Sequence, residues 1–584
     1  MPTKVHSVHG KMVDTEKLCP HWHDLHGSPP SDKSNMDRFY RLLAFGYFPK
    51  EVPPIFYSGT FAKEAKRNRQ SVQTITSTKW SRPCSYLLQQ RKRYRRPLSI
   101  LNPNAMILMA DSIASGYAEI TNQTGKSKLS VSKPRFNRKT KYFRAVGSEF
   151  IGSQIKEKKL LLRANYPIVL RCDVKNYYRA IYTHSIPWAI YGKQYAKRHT
   201  REKILGNELD QFIRVGQDGQ TIGIPVGPDS SFILGELILS AVDKELGFDQ
   251  RKAIRFYDDY EFGCKSEIEA ENILDRLENL LSNFELELNH EKTRLVKGPS
   301  ELEGYWTQII KDFTERKRIR NNEDLIDIFN LASRLALDNE SDFVFKYFIR
   351  RMRMTVLNKD RWDTWQNILL SSAFSEFGNL REIYEQLDLY GRIGYSVNCK
   401  SLYNLLVAKA EAELRGSSSS ELSWLLFGFL KFNIKPPKEL IIKVIDTGDD
   451  ISRIIAIKLA IVNKIGIKIK LKELMTLLDA DIGVSEHWLL FWELYINGWI
   501  EDVILRDEIL KEGIFEFLSS KNVSFLRSPQ IDLLEIPAPF KKRIEEISGA
   551  EEFERLNRAI KSTFHDLSSE EGGDSDIDEG PDYF

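Results

Sequence analysis

Two adjacent carboxylates, Asp258 and Asp259, stand between two short segments rich in β-forming residues. This pattern predicts a hairpin with the acidic pair at its tip. Like charges that close destabilise each other unless a cation neutralises them, and a hard divalent cation with oxygen ligands does so. Two metal ions held by converging carboxylates stabilise both the attacking and the leaving oxygen of a phosphoryl displacement. The pair is therefore a candidate phosphoryl-transfer site, although taken alone such a pair is usually a solvated hairpin turn.

Such a site needs a third carboxylate, and Asp173 is the best placed. It follows the apolar run 166–172, which predicts a buried strand ending at a polar position. Helical periodicity is clear at 230–246 and 267–283, on either side of the predicted hairpin at 253–263. The order of strand, helix, hairpin, helix and strand predicts an α/β palm that brings Asp173 to the acidic pair.

The charge is distributed very unevenly along the 584 residues. The chain carries 85 Lys and Arg against 81 Asp and Glu, a formal net charge of only +4. Residues 61–166 alone hold 23 basic and 5 acidic residues, with dense runs at 91–96 and 133–144 interleaved with aromatic residues. Basic residues among aromatic rings favour contact with phosphates and bases. The near-neutral total therefore does not exclude a nucleic-acid partner.

The C-terminal half has a different character. Helical segments recur after about residue 321 without strand alternation, which predicts stacked helix pairs of the HEAT type, with a compact non-repetitive helical domain as the alternative. Residues 566–584 hold eight acids and no Lys or Arg, which predicts a disordered tail. The predicted units are an N-terminal arm (1–60), a basic segment (61–165), an α/β region (166–320), a helical-repeat domain (321–563) and an acidic tail (564–584).

Five motifs in a fixed order resemble those of reverse transcriptases, with a primer-grip-like Glu303-Gly-Tyr305 after them. They are a fingers motif at 96–103 and palm motifs at 173–178, 223–228, 256–259 and 286–293. The resemblance implies an α+β fold with right-hand fingers and palm, followed here by the all-α HEAT-like domain. The wording of 223–228 and the long helical C-terminus look most like bacterial defence reverse transcriptases, including the abortive-infection polymerases.

The resemblance also implies roles for the acidic residues. Asp173 and Asp258 would hold two Mg²⁺ ions, with Mn²⁺ as an alternative. The Val174 carbonyl would assist, and Asp259 would support the site. Tyr178 would lie beneath the sugar of the incoming nucleotide and exclude a 2′-hydroxyl, whereas the alternative is an ordinary core tyrosine.

Further residues would bind the nucleotide itself. Arg96, aided by Lys92 and Arg95, would clamp the triphosphate, since a guanidinium fork matches phosphate oxygens. Gly227 belongs to the same nucleotide-binding set. Lys292 would protonate or neutralise the leaving pyrophosphate, with a plain surface lysine as the alternative.

The implied activity is an RNA-directed-DNA-polymerase-type nucleotidyltransferase that adds dNTPs to a 3′ end in antiphage defence. Ile222 stands where template-copying relatives usually carry Gln, Gly227 replaces a usual Ser, and Tyr257 is bulky. The first departure favours template-independent synthesis primed by a protein hydroxyl. The alternatives are copying of a dedicated non-coding RNA and a catalytically degenerate nucleic-acid-binding scaffold. The expected partners are dNTPs, a DNA product, an RNA template in the templated alternative, and further copies of the chain through the helical half.

Cysteine usage and hydropathy favour a cytoplasmic protein. The five cysteines are scattered without a CxxC pair, which is typical of a reducing compartment. We see neither a signal peptide nor an apolar run long enough to span a membrane. Cys19, His21 and His26 could bind zinc, but their spacing is not that of a standard finger, and an ordinary N-terminal arm is the simpler interpretation.

Overall fold

The computed structural model describes most of the chain between residues 32 and 546. The described residues are 32–91, 94–137, 144–150, 152–298, 301–316, 319–339, 343–375, 378–415, 419–478, 481–528, 537, 539–543 and 546. The N-terminal Cys/His cluster and the acidic tail lie outside them.

The N-terminal region is a helical layer with two small hairpins. Its elements are α1 (Asp32–Phe45), α2 (Gly59–Arg67), α3 (Arg69–Ile75), β1 (Cys84–Arg91), β2 (Tyr94–Ile100), α4 (Pro103–Ser115), α5 (Tyr117–Gly125), β3 (Pro134–Phe136), β4 (Val146–Ser148) and α6 (Gly152–Asn165). Strands β1 and β2 pair antiparallel, as do β3 and β4. Helix α4 begins at an Asn102 cap followed by Pro103 at the first helical position, a pairing that satisfies and pre-orients a helix start.

The central region contains a four-stranded sheet. Its elements are β5 (Ile168–Asp173), α7 (Tyr177–Ala180), α8 (Ser185–Tyr191), α9 (Lys193–Arg198), α10 (Leu205–Val215), α11 (Asp229–Leu246), β6 (Ala253–Phe256), β7 (Asp259–Cys264), α12 (Glu267–Ser282), β8 (Arg294–Lys297) and α13 (Tyr305–Arg316). The strand order is β6-β7-β5-β8, with every neighbouring pair antiparallel. The predicted strand at 166–172, the hairpin at 253–263 and both flanking helices are confirmed.

The C-terminal region consists of helices and their connecting segments in its described residues. Its helices are α14 (Asn322–Asp338), α15 (Val344–Met352), α16 (Trp362–Ser375), α17 (Leu380–Arg392), α18 (Cys399–Glu413), α19 (Ser419–Lys431), α20 (Lys438–Thr447), α21 (Asp450–Val462), α22 (Leu471–Met475), α23 (Trp488–Ile496), α24 (Val503–Ile509) and α25 (Gly513–Ser520). Successive helices such as α18 with α19 and α20 with α21 pack on each other. The chain is thus a mixed α/β protein with small sheets, and most of the helices predicted after residue 321 are present.

The helical region packs against the hairpin β1–β2 through buried polar contacts. Helix α19 lies on β1. The Tyr86 hydroxyl is 3.0 Å from Ser423 Oγ, and the backbone N–H of Gln89 donates to Ser420 Oγ at 3.0 Å. Farther along the chain, Phe56 forms a β-bridge with Leu526. Residues far apart in sequence therefore share one hydrophobic core.

No helix in the described ranges combines the length and the apolar character that crossing a bilayer requires.

Candidate active site

The register of the central sheet brings the three predicted carboxylates together. Asp173 is the last residue of β5 and faces Asp259, the first residue of β7, as its direct cross-strand partner. Directly opposed residues of an antiparallel pair project from the same face of a sheet. Asp258 precedes Asp259 in the turn, and its carbonyl accepts a hydrogen bond from the Val174 amide at 3.2 Å. The end of β5 is thereby tied to the tip of the hairpin.

The turn between β6 and β7 is held in a strained conformation. Tyr257, the first of its two loop residues, has a φ of 54°, a value that two-residue hairpins usually assign to Gly or Asn. The left-handed region destabilises other residues by about 1–2 kcal/mol. Three contacts offset this. The Tyr257 amide donates to Ser132 Oγ at 2.8 Å, its hydroxyl lies 3.1 Å from Ser148 Oγ, and its ring packs on Phe232 with centroids 5.0 Å apart.

Burial and mutual repulsion dominate the electrostatics of the acidic cluster, meaning Asp173, Asp258 and Asp259. Burial raises the pKa of Asp258, and the neighbouring charge of Asp173 raises it further. Burial, followed by the charges of Asp258 and Asp173, raises the pKa of Asp259 to about 7. Asp258 is half-buried and Asp259 is exposed at the end of the sheet, so each is held close to like charges at a place that a cation can reach.

Two side chains from the segment between α12 and β8 hold Asp173 in place. Lys292 Nζ donates to Asp173 Oδ2 at 2.8 Å, and Asn289 Nδ2 donates to Oδ1 at 3.2 Å. Hydrogen bonding to Asp173 is the main cause that raises the pKa of Lys292. The predicted Lys292 thus lies at the acidic cluster, with its side chain 64% exposed. Asn289, which the sequence analysis did not single out, joins it there.

The donor set fits a hard divalent cation in its chemistry. Among the described residues, no three His, Cys, Asp or Glu side chains are arranged as a ready-made metal site. Asp173 is instead paired with Lys292 and Asn289. The three carboxylates nevertheless supply only oxygen ligands, and burial together with repulsion between neighbouring carboxylates raises the pKa values of Asp258 and Asp259, a repulsion that a dication relieves.

The two arginines of β2 point in opposite directions, as neighbours on a strand must. Arg96 lies close enough to Asp258 and Tyr178 to lower the pKa of each, against the larger effect of burial. Arg95 instead interacts electrostatically with Glu413 at the end of α18, where its Nε and Nη1 are buried without a hydrogen-bond partner in the described structure. The structure thus brings Arg96 to the acidic cluster and not Arg95. The third predicted clamp residue, Lys92, lies outside the described residues.

Tyr178 packs between the acidic cluster and α11. A Cβ placed on Gly235 would lie 3.1 Å from Cε1 of both Tyr177 and Tyr178, so Gly235 leaves the space that these rings fill. The Tyr177 hydroxyl donates to the Gly235 carbonyl at 2.6 Å, which fixes the pair against the helix. Burial raises the pKa of Tyr178 far above its usual value, so its hydroxyl stays protonated.

Gly227 occupies a tight loop before α11. Its φ is 128°, and an added Cβ would lie 2.6 Å from Cγ of Pro49. The neighbouring Val226 carbonyl accepts from the Ser99 amide of β2 at 2.7 Å. The position therefore needs glycine, and the loop joins the start of α11 to the hairpin that carries Arg96.

A buried ionic network behind the hairpin was missed by the sequence analysis. Arg255 of β6 is fully buried and donates to Asp243 and Glu236 of α11 at 2.7–3.1 Å, and to the Tyr257 carbonyl at 2.8 Å. Burial by itself would lower the pKa of Arg255, but the charges of Asp243 and Glu236 raise it above its ordinary value. The spacing of the two acids at i and i+7 within an otherwise apolar helix face is the signal that could have revealed it.

Comparison with known proteins adds little to this geometry. No protein-family model matches the chain, and no curated protein matches it. Among solved structures, the chain has a likeness to telomerase from Candida albicans in complex with the TWJ fragment of telomeric RNA, covering 62% of this chain and 67% of that one. The sequence identity is 10% and the TM-score 0.24. A likeness at this level carries no argument about fold or function.

Proposed function

We propose that the protein is a nucleotidyltransferase of the reverse-transcriptase type that adds dNTPs to a 3′ end. The observation that carries the proposal is the meeting of Asp173, Asp258 and Asp259 at one end of the central sheet. Three carboxylates in so little space are a liability in a purely structural site. They suit a site that binds cations together with a polyanionic substrate.

In this proposal Asp173 and Asp258 hold two Mg²⁺ ions, with Asp259 beside them. When bound, the ions neutralise the triphosphate and activate the attacking 3′ oxygen. The role of the protein is to preorganise the carboxylates, which it does through the strained turn at Tyr257 and the cross-strand register of Asp173 and Asp259. Binding of cations would release Asp173 from its ion pair with Lys292.

Two basic side chains are placed to act on the triphosphate. Arg96 approaches the acidic cluster from β2, and Lys292 approaches it from the segment that precedes β8. Freed from Asp173, the Lys292 ammonium can donate a proton or a hydrogen bond to the departing pyrophosphate. Tyr178, buried against Gly235 beside Asp258, would fill the space that a ribose 2′-hydroxyl needs.

The test is incorporation of labelled dNTPs by the purified full chain with Mg²⁺, with and without added template. Asp258→Asn/Asp259→Asn should abolish incorporation, since mutation of a metal-binding pair removes the preorganised charge. Glu271→Gln/Asp275→Asn is the matched control, because it removes the same charge from exposed positions. Wild-type protein that incorporates nothing under either condition would refute the proposal. Product formed equally with and without template supports template-independent synthesis, and strict template dependence supports the templated alternative.

We further propose a role in antiphage defence, with assembly into a homo-oligomer through the helical half. The sequence resemblance is what supports both. Cells expressing the wild-type chain should resist phage in a plaque assay, and cells expressing Asp258→Asn/Asp259→Asn should not. Sedimentation of the purified chain as a monomer at micromolar concentration would contradict the oligomer.

A further inference from the structure

A second basic surface lies on helices α8 and α9 and the loop that follows them. Residues 193–203 hold five Lys or Arg residues and a single acid, Glu202. This segment lies outside the basic stretch 61–166. It is fully described in the structure, and none of its charge serves the acidic cluster. We call it the α9 surface.

Most of the positive charge of the α9 surface lacks acidic neighbours. Lys197, Arg198, Arg201 and Lys203 are exposed, and none forms an ion pair with a carboxylate in the described part of the chain. Two of the acids that approach this region are engaged with other partners, because Glu285 pairs with Lys193 and Glu119 hydrogen-bonds Tyr191. The exposed Glu202 lies 3.8 Å from His199 Nε2. Four cations against one acid remain for a polyanion to neutralise.

Aromatic rings are interleaved with these cations. The rings of Tyr195 and His199 are stacked, with centroids 3.9 Å apart and planes inclined by 19°. His199 Nδ1 lies 2.8 Å from the Tyr195 carbonyl, which fixes the imidazole in place. On the other side of α9, Lys193 and Lys197 lie over the Trp188 ring at 4.2 and 5.6 Å.

The stacked pair opens onto a concave surface of nucleobase size or larger. The cavity of about 440 Å³ is lined by Tyr191, Lys193, Tyr195, Arg198 and His199, among others. An aromatic wall and a guanidinium that line the same cavity provide the two contacts that unpaired nucleotides use, base stacking and phosphate neutralisation. A double helix presents no exposed base face to such a wall.

We propose that the α9 surface binds single-stranded nucleic acid, with a base stacked on the Tyr195/His199 pair and the strand phosphates on Lys197, Arg198 and Arg201. The mode of binding is indifferent to base sequence, because every base has a face that can stack. This inference does not depend on the proposed polymerase activity, since binding is measured without Mg²⁺ or dNTPs.

The test uses a fluorescent 12-nucleotide oligo(dT) that carries one 5-iodouracil, with the full chain in EDTA. Irradiation should crosslink the oligonucleotide to a peptide that contains Tyr195 or His199, as located by mass spectrometry. Lys197→Glu/Arg198→Glu/Arg201→Glu should remove that crosslink and weaken binding about tenfold or more. It should also make the slope of log K against log salt shallower by about 2, from three lost phosphate contacts. Tyr195→Leu should weaken binding about fivefold or more with an unchanged slope.

A matched control separates the effect of where the reversed charges lie from the effect of the change in net charge. The variant Arg251→Glu/Lys470→Glu/Lys511→Glu changes the same number of exposed charges at distant sites and should keep the crosslink. Binding of the oligonucleotide with no crosslink between residues 188 and 203 would overturn the proposal. The proposal would also be overturned if polyglutamate displaced the fluorescent oligonucleotide as effectively as unlabelled oligo(dT) of equal charge. That result would show a general anion-binding surface without base stacking.

Discussion

The buried arginine behind the hairpin gives the sharpest test of how the acidic cluster is held in place. Arg255→Met keeps an unbranched apolar stem but removes the guanidinium and its charge. Glu236 then keeps only the Ser240 hydroxyl at 3.2 Å, and Asp243 keeps the hydroxyls of Ser127 and Tyr260. Two carboxylates, each no more than 1% exposed in the side chain, are left without a counter-charge.

The expected effect follows from the burial of those carboxylates. Removal of one partner of a buried ionic network destabilises by about 3–5 kcal/mol. Since each 1.4 kcal/mol is a factor of ten, local opening of the hairpin should rise by about two to three and a half orders of magnitude. Loss of the bond from Arg255 to the Tyr257 carbonyl acts at the turn itself.

Hydrogen exchange of peptides that cover residues 253–264 measures this opening directly. Arg251→Met is the matched control, because Arg251 pairs with Asp249 at 2.7 Å on the surface, with its side chain 83% exposed. Surface pairs contribute at most about 1 kcal/mol, so exchange should change less than tenfold. The neutral triple variant Arg255→Met/Glu236→Gln/Asp243→Asn should recover much of the protection, since no charge remains buried. Equal protection in Arg255→Met and Arg251→Met would refute the reasoning.

Three further predictions address stability and specificity. Glu493 is fully buried, and burial raises its pKa to about 7. The folded state therefore holds the Glu493 proton more tightly than the unfolded state, and the free energy of unfolding should fall by about 3 kcal/mol as pH rises from 4.5 to 8. Glu493→Gln should flatten that part of the pH dependence in a series of urea melts. An unchanged slope would contradict the assignment. Gly227→Ala should lower the melting temperature, since its Cβ would meet Pro49 and its φ of 128° disfavours alanine; an unchanged melting temperature would show that the loop can move. Tyr178→Val should raise the use of rNTPs relative to dNTPs by about tenfold or more, with an unchanged ratio in single-nucleotide assays placing Tyr178 in a purely structural role.

Local patterns predicted the elements that position the acidic cluster. The apolar run before Asp173, the hairpin around Asp258 and the apolar stripe of α11 all depend on neighbours close in sequence. Their convergence could be inferred because antiparallel pairing of β5 with β7 leaves little choice of where the strand ends meet. The proximity of Lys292 to that end also followed from its motif.

Contacts between residues far apart in the chain could not be predicted from the sequence. Alternation requires Arg95 and Arg96 to face opposite ways, but only the packing of α18 and α19 on the hairpin decides which one meets the acidic cluster. The Arg255 network joins a strand to a helix through residues that are individually unremarkable in the sequence. The α9 surface was overlooked because its charge is modest beside that of residues 61–166.

The bridge between Phe56 and Leu526 has a consequence for how the chain is made. The amide of Tyr57 also donates to the Phe525 carbonyl, and Arg527 to the Ile55 carbonyl, so a segment near the N-terminus is completed by one near the C-terminus. At 5–20 residues per second, a ribosome needs roughly half a minute to a minute and a half to travel between them. During that interval Phe56 and its apolar neighbours are exposed on the nascent chain. Slower translation or early truncation should therefore favour aggregation or chaperone capture. We expect this even when the residues of the acidic cluster have already left the ribosome.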